Sequence, residues 1–250
     1  EKLGIENQVC LMEVDGDIVF FNEAEADYEY VIAQSRSDFT EQSLSRLAQI
    51  LLKNKENDKA IPVLSRLENE ADVSQNKTYA QSNLMKLYYN KKDYPNSGIY
   101  AEKVLMNPKA YDKVKSDAQI IIARAAIETG DEAKAKVAYA KVLAIAKGEL
   151  AAEALYYDAY FKNKEGKFEA SNAAVQKIAK NYSSYKYFGA KGLILMAKNF
   201  YGLKDSYQAT YILENVIQNF TDYPDVVSEA KTELNAIKTE EAKTNSSITK

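Results

Sequence analysis

The sequence predicts an all-α fold, a right-handed array of stacked helical hairpins (an α-solenoid), and three observations carry that prediction. Of 250 residues only 9 are Gly and 4 are Pro. That is sparse punctuation for sheets and loops, while helix-favouring Ala, Lys, Glu and Leu abound. The stretch Ile120 to Leu143, IIIARAAIETGDEAKAKVAYAKVL, reads as one hairpin. An apolar helical run meets a turn at Gly130-Asp131, and a second run sets Ala135, Tyr139 and Val142 on one face at 3.6-residue spacing. Finally, the small pair Ala123/Ala135, where two antiparallel helices would cross closely, recurs as Met12/Ala24, Ala48/Ala60, Met85/Ser97, Ala159/Ser171 and Ala197/Ala209. Successive first members lie 36, 37, 38, 36 and 38 residues apart. So steady a period marks an array.

Each second helix repeats one apolar stripe. Four residues beyond the second small residue stand Tyr28, Leu64, Ala101, Tyr139, Val175 and Leu213; three further on stand Val31, Leu67, Val104, Val142, Ile178 and Val216. Residues 1–38 read as a degraded or truncated unit, broken at Asp15-Gly16-Asp17. Ile18 to Phe21 is expected to be a short extended or capping segment before a helix over about 22–35. Five full units follow at about 39–72, 73–110, 111–148, 149–184 and 185–223. Their helices are expected near 40–54 and 58–70, 77–91 and 95–106, 113–129 and 131–146, 149–164 and 167–182, then 186–203 and 205–219. Pro62 and Pro95 fall in or near first turns, where amides lack partners. Pro108 stops a helix, and Lys147-Gly148 ends another.

The fourth full unit departs from the template. Where others carry Leu47, Leu84, Ile122 and Met196, it has Asp158, and Lys162 replaces an apolar residue three beyond Ala159. Either the template register holds or a one-residue slip, absorbed by Lys164-Glu165-Gly166-Lys167, repairs it; both stay open. Tyr223-Pro224 opens a capping helix to about Lys243, with Glu229, Lys231, Glu233, Lys238 and Glu240 as outward candidates. Residues 244–250 are expected to be a disordered tail.

Composition excludes several function classes. Lys+Arg 33 against Asp+Glu 36 provides no global basic field for nucleic acid. No run of eighteen apolar residues exists, so no insertion into a membrane is expected. Histidine is absent and Cys10, in an apolar run, is the single cysteine. The commonest general base and zinc ligands are thus missing, and neither catalysis, a cofactor nor a metal is expected. Glu23, Glu25 and Asp27 cluster, but on a helix they alternate sides and read as a solvated face. Residue 1 is Glu with no signal-like segment after it, so any targeting segment is expected upstream.

These features resemble the tetratricopeptide repeat family, whose unit has small residues at its eighth and twentieth positions, nearby aromatics and often Gly-Asp in the turn. Ala123, Gly130, Asp131, Ala135 and Tyr139 fit. The likeness covers about residues 39–220, with units longer than the family's usual 34. Asn219-Phe220-Thr221-Asp222-Tyr223-Pro224 is similar to the longer-helix units of bacterial envelope repeat proteins that work with outer-membrane assembly or Tol-Pal. The run from Glu149 to Tyr187-Phe-Gly-Ala-Lys and Asp205-Ser-Tyr-Gln-Ala is similar to the C-terminal part of large repeat proteins of Bacteroidetes-type bacteria. The resemblance implies a periplasmic or outer-membrane-associated protein, with the cytoplasm as the alternative.

It also implies that first helices line a concave face. Mapped here, that face comprises Tyr79, Lys86 and Tyr89; Arg124; Tyr156 and Tyr160; and Lys191, Lys198 and Tyr201, with Ser82, Asp117, Ile120, Ile127, Glu153, Asn163 and Ile194 between them. Tyrosine offers a rigid apolar body with a hydroxyl, and the cations suit carboxylates, so a protein or peptide is the expected guest. The carboxylate clamp of co-chaperone members does not carry over: Ser45, Gln49, Asn83, Asp117 and Ile121 match it at Asn83 alone. The expected function is a non-catalytic protein-binding scaffold. Its alternative is a structural spacer or self-association segment of a longer repeat protein.

Overall fold

In the computed structural model the backbone is described for residues 18–248 and the side chains for 25–243. The Met12/Ala24 pair and the break at residues 15–17 lie outside the described residues. The described chain is α-helical, without strands. Two compact units share it, residues 1–125 and 126–250.

The first unit opens with α1 (Ile18–Ala33), α2 (Thr40–Lys53), α3 (Asn57–Glu70), α4 (Ser74–Asn90) and α5 (Tyr94–Met106), then most of α6 (Asp112–Glu128). Ile18 to Phe21 is therefore helical rather than extended. Pro62 sits in the second turn of α3, just past the first, and Pro95 occupies the first turn of α5. Helix α4 starts at Ser74, three residues before its expected start, because a partner distant in sequence caps it. Glu41 of α2 accepts hydrogen bonds from the amides of Asp72 (2.9 Å) and Val73 (3.1 Å) and from Asn76 Nδ2 (2.7 Å). Burial raises the Glu41 pKa, but these bonds to its charged form together outweigh that and leave it lowered. The carboxylate thus satisfies the amide of the N-cap residue Val73 and that of Asp72 just before it.

The second unit continues with α7 (Glu132–Ile145), α8 (Gly148–Lys164), α9 (Phe168–Asn181), α10 (Lys186–Gly202), α11 (Ser206–Asn219) and α12 (Pro224–Ile248). The last helix passes residue 243, where the sequence places its end. Within each unit consecutive helices pack on one another, from α1 to α5 and from α7 to α12. This is an all-α repeat of paired helices.

The residues at the predicted crossings, all small except Met85, are fully buried. Ala48, Ala60, Met85, Ser97 and Ala123 in the first unit, and Ala135, Ala159, Ser171, Ala197 and Ala209 in the second, are each 0 % exposed. Two of these crossings are close enough for a hydroxyl on one helix to reach the backbone of the other. Ser97 Oγ donates to the carbonyl of Met85 at 2.9 Å, and Ser171 Oγ donates to that of Ala159 at 2.8 Å. The second of these bonds settles the open register, since Ser171 meets Ala159 as the template requires. Asp158 and Lys162 stay half-buried and pair with each other at 2.7 Å. The stripe residues Leu64, Leu67, Ala101, Val104, Tyr139, Val142, Val175, Ile178, Leu213 and Val216 are all buried.

Five turns, after α2, α4, α6, α8 and α10, share one geometry. Lys55, Lys92, Gly130, Gly166 and Lys204 take φ of 62°, 60°, 74°, 73° and 68°. The following amide returns to the carbonyl five residues back, as in Glu56 to Leu51 (2.8 Å), Asp131 to Ala126 (2.9 Å) and Asp205 to Phe200 (2.9 Å). This left-handed helix cap satisfies terminal carbonyls and costs a side-chain-bearing residue about 1–2 kcal/mol. Asp93, Asp131 and Asp205 then cap the next helix, each accepting from the amide three residues on.

Two substitutions test this packing. Ala209→Leu is expected to destabilise by about 1–3 kcal/mol in chemical denaturation, because the α10–α11 crossing has no spare volume. Lys204→Gly is expected to stabilise by about 1 kcal/mol in the same measurement, by relieving the left-handed lysine.

Candidate functional site

Three first helices of the second unit, α8, α10 and α12, lie in sequence, α8 packing on α10 and α10 on α12. Their spacing by roughly one repeat brings equivalent positions opposite one another. Tyr187 and Asp225, and Lys191 and Glu229, are each 38 residues apart and each in contact. The Tyr187 hydroxyl donates to Asp225 Oδ2 at 2.9 Å, and the Lys191 ammonium pairs with Glu229. Lys198 Nζ reaches Glu233 Oε1 at 2.6 Å. The first unit does the same on its own helices, where Lys86 Nζ on α4 meets Asp117 Oδ2 on α6 at 2.8 Å.

An aromatic shelf spreads from this ladder onto α8. Tyr156 meets Tyr157 edge-on, with ring centroids 5.1 Å apart, and Phe188 of α10 at 6.3 Å. Lys191 Nζ stands 5.8 Å from the Tyr156 ring centroid, so the cation serves both the ring and Glu229. Tyr160 lies edge-on to Tyr157 and Phe161 at 6.1 and 5.3 Å. Its hydroxyl donates to Glu132 Oε1 at 3.2 Å, and Lys164 Nζ sits 5.6 Å from its ring. Burial, then the charge of Glu229, raises the Tyr156 phenol. Burial, then the hydrogen bond to Asp225, pushes Tyr187 up to about 12. Both hydroxyls therefore remain neutral donors at physiological pH.

The expected site residues divide accordingly. Tyr156 and Lys191 are brought together across α8 and α10, while Tyr160 works with Lys164 and Glu132. Tyr201 and Lys198 sit further along α10, half-buried, with Tyr201 against the core shared with α11 and α12. In the first unit Tyr79 borders a cleft of about 200 Å³ with Ser74, Thr78, Ser82 and Tyr111, and burial raises its phenol. Tyr89 packs at 5.7 Å from Tyr94, and Arg124 is half-buried on α6. Lys86, Lys191 and Lys198 are thus already engaged by the chain's own acids. Glu229 and Glu233, expected to face outward, are half-buried partners of those lysines; Lys231, Lys238 and Glu240 are exposed as expected.

Some residues placed on this face belong to the interior instead. Ile120 and Ile194 are 3 % and 1 % exposed, and Glu153, 3 % exposed, accepts from the Tyr139 hydroxyl at 2.9 Å. Asn163 donates to Asn199 Oδ1 at 2.7 Å, and the buried Asn199 donates in turn to Ser171 Oγ and Asn172 Oδ1 at 2.9 and 2.7 Å. This polar seam ties α8, α9 and α10 together. Among the described residues no group of three or more carboxylates or thiols is arranged to hold a metal ion, and no helix is long and apolar enough to cross a membrane. Comparison with known proteins gives no matching family profile and no matching curated protein. Asp225, Tyr157 and Phe188 were not expected at the site; the 38-residue offset of Asp225 from Tyr187 was the signal for the first of them.

Titration of Tyr187 tests this geometry. A phenol with a raised folded-state pKa adds stability that is full below the ordinary value near 10 and is lost as pH rises through about 12. Carbon-13 NMR of the tyrosine Cζ is expected to show Tyr187 titrating near 12 and shifting downward in Asp225→Asn. Burial, the larger cause, keeps the variant above the ordinary tyrosine value.

Proposed function

We propose that this chain is a non-catalytic scaffold of tetratricopeptide-like hairpins that binds a protein or peptide, with the aromatic shelf of α8 and α10 as the docking surface. The observation that carries this reading is the set of half-buried rings at Tyr156, Tyr157, Tyr160 and Phe188 on adjacent first helices. Such rings present large contact area with few rotors to freeze, and their hydroxyls orient a guest. Because Lys191 and Lys198 are already paired, a guest carboxylate must displace Glu229 or Glu233 to reach them. Recognition by this surface is therefore led by aromatic contact rather than by charge, and its affinity depends little on salt. The likeness to envelope repeat proteins supports a place in a bacterial envelope assembly, in the periplasm or at the outer membrane.

Affinity capture from native extract, with identification of what co-purifies, tests the reading. Tyr156→Ala combined with Tyr160→Ala is expected to lose the captured protein while circular dichroism stays unchanged. Wild-type capture is expected to survive 0.5 M salt. Capture unaffected by the double substitution would contradict this surface as the binding face.

A further inference from the structure

Charge is not spread evenly along the chain. Residues 1–76 hold 16 Asp and Glu against 7 Lys and Arg, whereas residues 77–204 hold 22 Lys and Arg against 12 Asp and Glu. Five of these lysines lie on α7 and α9, against one acid on each helix. The segments that flank α9 meet α7 at both ends. Lys136 of α7 pairs with Glu165, and Lys164 with Glu132 (3.1 Å), near their starts; Leu143 of α7 shares a core cluster with Tyr182 and Tyr185 past the end of α9. Lys134, Lys141, Lys177 and Lys180 are exposed and make no ion pair among the described residues. On α7, Lys134, Val137, Lys141 and Ile145 fall along one line at helical spacing, and Val137 and Ile145 are 58 % and 50 % exposed.

The opposite pattern lies on α1. Tyr30, 60 % exposed, is flanked by exposed Asp27 on one side and Glu29 on the other, and neither acid makes an ion pair among the described residues. One surface offers apolar side chains between lysines, the other an aromatic ring between carboxylates. Residues 126–250 contain no arginine. The basic face therefore lacks the planar fork best suited to phosphate recognition, and with valine and isoleucine as its large apolar residues it lacks the aromatic anchors of a membrane-surface helix. We propose that the outer face of α7 docks α1 of a second copy of this chain, in a heterologous contact steered by Lys134 and Lys141 against Asp27 and Glu29. This surface is separate from the aromatic shelf on the first helices, and either can fail without the other.

Sedimentation velocity of the whole chain over a range of concentrations provides the test. Concentration-dependent association is expected at about 25 mM salt and is weakened at 0.5 M, where charges are screened beyond a few ångströms. Lys134→Glu with Lys141→Glu is expected to abolish it, as is Asp27→Lys with Glu29→Lys. Combining all four substitutions is expected to restore association, a rescue that a folding defect does not produce. A monomer at every concentration in low salt overturns the proposal, as does association that survives either charge reversal. Binding of the wild-type chain to anionic vesicles or duplex DNA with no self-association also overturns it.

Discussion

The structure depends on how closely two helices of a hairpin can approach. At each crossing within a unit at least one side chain is no larger than a methyl or hydroxymethyl group, and in two hairpins a serine hydroxyl spans the gap to the opposing backbone. Such contact brings many weakly attracting atoms within range and leaves no room for an added methylene. With the crossing fixed, the residues four and seven positions further along the second helix are buried in each of the five full repeats. The five identical turns accept the cost of three left-handed lysines because the geometry after each first helix is fixed by that same crossing.

Regular crossings also place one first helix against the next. In the second unit this sets Tyr187 by Asp225 and Lys191 by Glu229, each one repeat apart, and leaves the rings of α8 as a shelf beside the ladder. Ion pairs this exposed contribute little net stability. Their effect is better understood as holding the lysines and acids in fixed positions, so that the surface presents its charges already matched. What it leaves open is aromatic area.

Period and small-residue spacing made the paired helices legible in the sequence, and most helix ends lie within about two residues of their expected positions. What escaped was non-local. The early start of α4 depends on Glu41, over thirty residues upstream, and nothing near Ser74 signals it. The register around Asp158 could not be read because two polar residues interrupt an apolar pattern; the bond from Ser171 to the Ala159 carbonyl shows that the pattern continues, and the two polar residues pair with each other. Lys86, Lys191 and Lys198 stood out as cations on the expected face, yet their partners lie one helix pair away, where periodicity gives the position but not whether the side chains meet. Ile194 and Glu153 fell on that same face by family position and are buried, because adjacent first helices pack on each other and cover part of it.

The closeness of the α8–α9 crossing can be measured at Ser171. In urea denaturation, Ser171→Ala keeps the space and loses two buried hydrogen bonds, one to the Ala159 carbonyl and one from Asn199 Nδ2, and is expected to cost about 1–3 kcal/mol. Ser171→Val adds volume where none is free, and is expected to cost about 1–3 kcal/mol beyond the alanine variant. Equal stability of the valine and alanine variants would contradict the account, since the helices would then stand too far apart for small residues to matter.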